Sequence, residues 1–144
     1  MGKRYRCGLT DLPESFFQLT SLQTLGLAAN DLATFPESFG NLISLQTLWI
    51  SNNKLATLPE SFRNLISLQT LWINNNQLTT LPESFGGLIS LQTLYLRSNH
   101  ITTLPESFTQ LSNLRQLAIT GNPLDAKGLK ILDQLKKNGI EIKR

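Results

Sequence analysis

The sequence predicts an α/β solenoid, in which short units stack along one axis with about six parallel strands on one side and irregular helical turns on the other. Three observations carry this expectation. Pro13, Pro36, Pro59, Pro82 and Pro105 fall 23 residues apart, and each opens the tetrapeptide Pro-Glu-Ser-Phe. Apolar residues hold fixed places within each period, and the alternation at Leu48 and Ile50 is the period-2 signal of a strand with one buried face. One asparagine also recurs per period, as Asn30, Asn53, Asn76, Asn99 and Asn122. A unit of this size cannot bury its leucines alone, whereas stacked units share a continuous core.

The elements follow in order. Residues 1–12 read as a partial repeat without a regular N-terminal cap. Stepping 23 residues back from Asn30 and Leu32 lands on Cys7 and Leu9, so Cys7 takes the asparagine position. The inward strand positions then fall on Gly2 and Arg4. A buried Arg is costly, so no regular strand is expected before Cys7 and the chain is expected to begin mid-repeat.

Residues 13–124 hold five repeats. In the block 36–58 the apolar positions are Phe39, Leu42, Leu45, Leu48, Ile50, Leu55 and Leu58. Strands are expected around 24–28, 47–51, 70–74, 93–97 and 116–120. Proline suits a first helical position and Glu the positive end of the helix dipole, which places a helical turn at each Pro-Glu-Ser-Phe. Gly40, Gly86 and Gly87 argue against a long helix there. A buried asparagine amide can satisfy backbone groups in the turn leaving each strand. Blocks 36–58 and 59–81 differ only at Gly40/Arg63, Ser51/Asn74, Lys54/Gln77 and Ala56/Thr79, a closeness that points to recent duplication or consensus design.

Residues 125–144 read as a C-terminal cap. Asp125 can cap a helix over 126–137 that carries Leu129, Leu132 and Leu135 on one side, with Lys136 and Lys137 in its last turn and Asn138-Gly139 as the stop. Stepping 23 residues from Leu117 and Ile119 reaches Ile140 and Ile142, which predicts a sixth strand at 140–142. Together the segments make one domain over residues 1–144.

The run Leu45-x-x-Leu48-x-Ile50-x-x-Asn53-x-Leu55 recurs from Leu68, Leu91 and Leu114, and appears earlier from Leu22. It resembles the leucine-rich repeat family, in the 23-residue class of bacterial repeat proteins and intracellular Ras-pathway scaffolds. The resemblance covers about Leu9 to Leu124. It implies that the strands line the concave side of a curved solenoid, and that the chain is a protein-interaction module, in many relatives part of a longer protein.

Composition narrows the function. The 144 residues are 40% hydrophobic, and no apolar stretch approaches a membrane span, so membrane insertion is not expected. The basic start lacks the apolar core of a signal peptide, and one cysteine makes no internal disulfide. A reducing, cytoplasmic setting is the expectation. The net charge of +3 is carried by the ends. Residues 1–6 hold three cations and no acid, 7–126 hold eight acids against Lys54, Arg63, Arg97 and Arg115, and 127–144 hold six cations against Asp133 and Glu141. Nucleic-acid binding would need a clustered basic face, and none is predicted.

Catalysis has little support. His100 is the single histidine, in a turn slot shared with Asp31, Lys54, Gln77 and Pro123. Ser15, Ser38, Ser61, Ser84 and Ser107 recur with the repeat and have no dedicated base, and the column Glu14, Glu37, Glu60, Glu83 and Glu106 reads as a solvated turn face. No phosphate loop or metal-ligand cluster is present, so no cofactor is predicted and the chain is read as a non-enzyme.

The outward strand positions form three columns. The first is Thr24, Thr47, Thr70, Thr93 and Gln116; the central one is Gly26, Trp49, Trp72, Tyr95, Ala118 and Glu141. The third is Ala28, Ser51, Asn74, Arg97, Thr120 and Lys143. Trp49, Trp72 and Tyr95 are expected to form an aromatic ladder that binds a protein or peptide, with Arg97, Asn74, Ser51, Asn52 and Asn75 as polar rim, because Trp, Tyr and Arg are enriched in binding hot spots. Three competing readings are stacking that only stabilises the sheet, self-association of a structural repeat unit or fragment into a homo-oligomer, and a glycan-binding surface. Ile43, Ile66 and Ile89 form a second apolar column, read as packing between repeats or as a further contact site.

Overall fold

The computed structural model describes residues 8–144. The expectations for Cys7 and for Gly2 and Arg4 lie outside those residues. Six three-residue strands form one parallel sheet in sequential order: β1 Thr24–Gly26, β2 Thr47–Trp49, β3 Thr70–Trp72, β4 Thr93–Tyr95, β5 Gln116–Ala118 and β6 Glu141–Lys143. From β1 to β5 the register follows the 23-residue period, pairing Leu25 with Leu48, Leu48 with Leu71, Leu71 with Leu94 and Leu94 with Leu117. Return paths are single 3-10 turns at Glu14–Gln18, Glu37–Asn41, Glu60–Asn64, Glu83–Gly87 and Glu106–Gln110, each directly after its proline.

The strands are shorter than the five residues expected because the backbone turns left-handed soon after them. Ala29, Asn52, Asn75 and Ser98 have φ between 55° and 59°, and Gly121 holds the same slot at 79°. Inter-strand bonding nevertheless continues to the turn: the Ile50 N–H donates to the Trp72 carbonyl at 2.8 Å, and the Asn52 N–H to the Asn74 carbonyl at 2.9 Å.

The asparagine column closes each turn from inside. Asn30, Asn53, Asn76 and Asn99 are only 3–7% exposed, so their polar atoms must find protein partners. The Asn76 amide Nδ2 donates to the Ile50 carbonyl one repeat back at 3.0 Å and to the Ile73 carbonyl at 3.3 Å, while its Oδ1 accepts from the Leu55 N–H at 3.0 Å. Asn53, Asn99 and Asn122 repeat that triad on equivalent groups. Buried turn residues rather than exposed ones thus explain the spacing.

A phenylalanine spine runs behind the sheet. Phe39, Phe62, Phe85 and Phe108 are buried and nearly parallel, with ring centroids 5.7, 6.3 and 5.3 Å apart. In the first turn Phe17, one residue beyond the periodic position, fills the core against Phe39, and Phe16 packs on it edge to face. Strands in a sheet sit about 4.8 Å apart. The wider spacing of the spine therefore bends the array toward the sheet, which becomes its concave side.

Glycine sets part of that spacing. A Cβ on Gly40 would lie 2.5 Å from the Ser61 carbonyl oxygen, and one on Gly86 would overlap the Ser107 carbonyl. Arg63 occupies the same slot in the third turn, and there the ring spacing is widest, at 6.3 Å between Phe62 and Phe85.

The C-terminal unit departs from the period. Helix α1, Ala126–Lys137, starts at Asp125, whose side chain accepts from the Gly128 N–H at 2.8 Å. Its buried face is Gly128, Ile131, Leu132 and Leu135, and Leu129 is only half-buried, which corrects the face expected from the leucines alone. The helix lengthens the last repeat by two residues, so Ile142 pairs with Leu117 and Lys143 with Ala118. The sixth strand is therefore 141–143 rather than 140–142, and Glu141 lies beside Gln116 instead of Ala118. Among the described residues no helix is long and apolar enough to cross a membrane.

Two outcomes are expected. Gly86→Ala should lower the unfolding free energy by about 1–3 kcal/mol in urea titration, the usual cost of overpacking; an unchanged midpoint would show that the turns separate freely. Deleting 125–144 should expose the fifth repeat and cause aggregation in light scattering, because repeat arrays need a polar-faced terminal unit. A deletion variant that stays monodisperse with an unchanged midpoint would make the segment a dispensable tail.

Candidate functional site

The concave face is built from strand positions that point away from the leucine core. Leu48 and Ile50 are fully buried, and Trp49 between them is 41% exposed. The sheet register places Gly26, Trp49, Trp72, Tyr95 and Ala118 side by side across β1 to β5. The predicted central column is present on this face as far as β5.

The three aromatic side chains do not form one continuous stack. Trp72 and Tyr95 are half-buried and pack face to face, with ring centroids 3.9 Å apart and planes inclined by 21°. Trp49 has no ring partner among the described residues; it leans instead over β1, where its Cε3 lies 3.6 Å from the point a Gly26 Cβ would occupy. The indole thus lies close over Gly26, a contact the sequence reading missed. A glycine at an outward strand position next to a tryptophan was the available signal.

The polar rim is partly committed to the backbone. Ser51 Oγ accepts from the Asn74 N–H at 3.1 Å, and Asn74 Oδ1 accepts from the Arg97 N–H at 2.7 Å. These side chains extend the strand ladder by one rung past its regular end. Asn52 and Asn75 are exposed in the left-handed region, which Asn tolerates better than most side chains, although Ala29 and Ser98 hold the same slot in other repeats. The Arg97 side chain is exposed and has no ion pair among the described residues.

Other columns fall elsewhere. Ile43, Ile66 and Ile89 are 50–54% exposed just after the 3-10 turns, so they form a surface stripe rather than packing between repeats. The glutamates bind the neighbouring repeat: Ser38 Oγ donates to Glu14 Oε2 at 2.8 Å, and Ser84 Oγ to Glu60 Oε2 at 2.6 Å. His100 is exposed in its turn, its backbone N–H donating to the Leu78 carbonyl. Among the described residues no three His, Cys, Asp or Glu side chains gather where they could hold a metal ion.

Comparison with known proteins agrees with this architecture. Leucine-rich repeat family models match residues 67–124 and, for a two-copy model, 43–86. A leucine-rich repeat protein of Leptospira interrogans superposes with a TM-score of 0.89 at 36% identity, over 95% of this chain and 35% of that one. The plant peptide hormone receptor RGFR1, in complex with RGF2, superposes with a TM-score of 0.72 at 31% identity, over 78% of this chain and 19% of that one. The chain thus spans about a third of the bacterial protein and a fifth of the receptor. No curated protein matches it at a significant level. Period, asparagine ladder, parallel sheet and these matches together make the chain a member of the leucine-rich repeat family.

Proposed function

We propose that this chain is a non-enzymatic recognition module that holds an extended peptide, or a segment of a folded protein, against its concave face. Trp49, Trp72 and Tyr95 supply the apolar contact, and Arg97, Asn74, Ser51, Asn52 and Asn75 the rim. The observation that carries the reading is Trp49. Mutual stacking accounts for Trp72 and Tyr95 without a ligand, but Trp49 stands 41% exposed over Gly26, with no ring partner among the described residues. A large exposed indole in a concavity is an anchor site rather than a core element. The fold commonly serves protein binding, and one similar structure is a receptor holding its peptide hormone.

Binding through this face requires no change in the core, because the aromatic side chains lie across the sheet from the leucines. Trp49→Ser should therefore reduce affinity for a captured partner at least about tenfold in an isotherm, with little change in thermal unfolding. A Trp49→Ser protein that binds as tightly as the parent would remove the concave face from consideration, and the Ile43, Ile66 and Ile89 stripe would become the next candidate.

The two tryptophans should also separate in stability. Trp72→Ser loses a face-to-face partner and should cost about 0.5–1.5 kcal/mol more in urea unfolding than Trp49→Ser. Equal costs would mean that Trp49 is as structural as Trp72.

A further inference from the structure

We propose that the segment held on the concave face is an acidic peptide whose Asp or Glu carboxylates lie over β4 and β5. This rests on the recognition reading above and adds the chemistry of the partner. The repeats divide their charges by side. Glu37, Glu60, Glu83 and Glu106 all stand at the start of the convex 3-10 turns. The strands and adjoining turns at 43–58, 66–81, 89–104 and 112–124 contain no acid at all, and their cations are Lys54, Arg97 and Arg115.

The cations in those segments differ in what already neutralises them. Lys54 is spent on Asp31, Nζ to Oδ1 at 3.4 Å. Arg97 and Arg115 are both exposed and have no acidic partner among the described residues. They also bracket the sheet: Arg97 lies two residues past Tyr95 at the end of β4, and Arg115 lies one residue before Gln116 at the start of β5. A segment crossing the strands beside the Trp72–Tyr95 stack passes between the chain positions of these two arginines. Planar guanidinium forks match carboxylates in geometry, and the one neighbouring acid on the sheet, Glu141 of β6 beside Gln116, lies 4.0 Å from Lys143 of its own strand. An apolar side chain of the same segment falls on Trp72 or Trp49.

The test is to pan a random linear peptide library against the full chain and measure the enriched peptides by isothermal titration. Each peptide is titrated with the parent, with Trp49→Ser/Trp72→Ser/Tyr95→Ser, and with Arg97→Glu/Arg115→Glu. Arg97→Gln/Arg115→Gln substitutes for the last if charge reversal disturbs the fold. The expected result is enriched peptides of net negative charge, bound at least about tenfold more weakly by the arginine variant, with affinity falling as salt is raised from 50 to 300 mM. Lys54→Gln should change affinity less than about threefold. Neutral or basic peptides, or acidic ones indifferent to Arg97 and Arg115, would overturn the proposal while leaving the recognition face standing if the aromatic variant still abolishes binding. Peptides insensitive to the aromatic variant, or no enrichment, would overturn both.

Discussion

Everything in this molecule depends on one buried amide per repeat. A solenoid must turn its chain sharply at the end of every strand, and the turn leaves backbone N–H and carbonyl groups out of reach of water. Asn53, Asn76, Asn99 and Asn122 each answer three such groups, a carbonyl in their own repeat plus a carbonyl and an N–H in the one before. Every bond that crosses between repeats fixes the height of one turn relative to the last. The strands are only three residues long, so the amides fix the register together with the backbone bonds that continue beyond them to the turn.

Curvature follows from two unequal repeats of distance. Strand pairing holds one side near the usual 4.8 Å, and the phenylalanine spine spaces the other at 5.3–6.3 Å. The sheet is therefore concave for a reason contained in its own side chains, and what stands on it is gathered into a hollow. Parallel sheets are usually covered on both faces. Here the covering layer exists on one face only, which is why Trp49 reaches solvent while Leu48 and Ile50 beside it do not.

The architecture was legible because the repeat supplies its own controls. Five Pro-Glu-Ser-Phe copies and five asparagines identify the period, and the Leu48/Ile50 alternation matches the burial from β1 to β4, whereas in β5 Ala118 at the outward position is fully buried. The errors arose where periodicity stops. Ile140 and Ile142 align by counting, but a three-turn helix needs two more residues than the 3-10 turn it replaces, and the register moves with it. Phe17 enters the core for Phe16 at the other end. On the candidate face, counting placed Trp49, Trp72 and Tyr95 in one row but could not show that Trp49 turns toward Gly26 while the other two rings pair. It also could not show that Ser51 and Asn74 bond the neighbouring backbone, because side-chain rotamers depend on the local turn rather than on the period.

The most direct measurement is urea unfolding of Asn76→Leu, which keeps the bulk of the side chain and removes its amide. Asn76 is 5% exposed, so the Leu55 N–H loses a partner that water cannot replace, while the Ile50 and Ile73 carbonyls keep the amides of Asn53 and Asn99. The expected loss is about 1–3 kcal/mol, the usual cost of one buried unsatisfied group. A loss below about 1 kcal/mol, with the cooperative transition intact, would contradict the role assigned to the asparagine ladder.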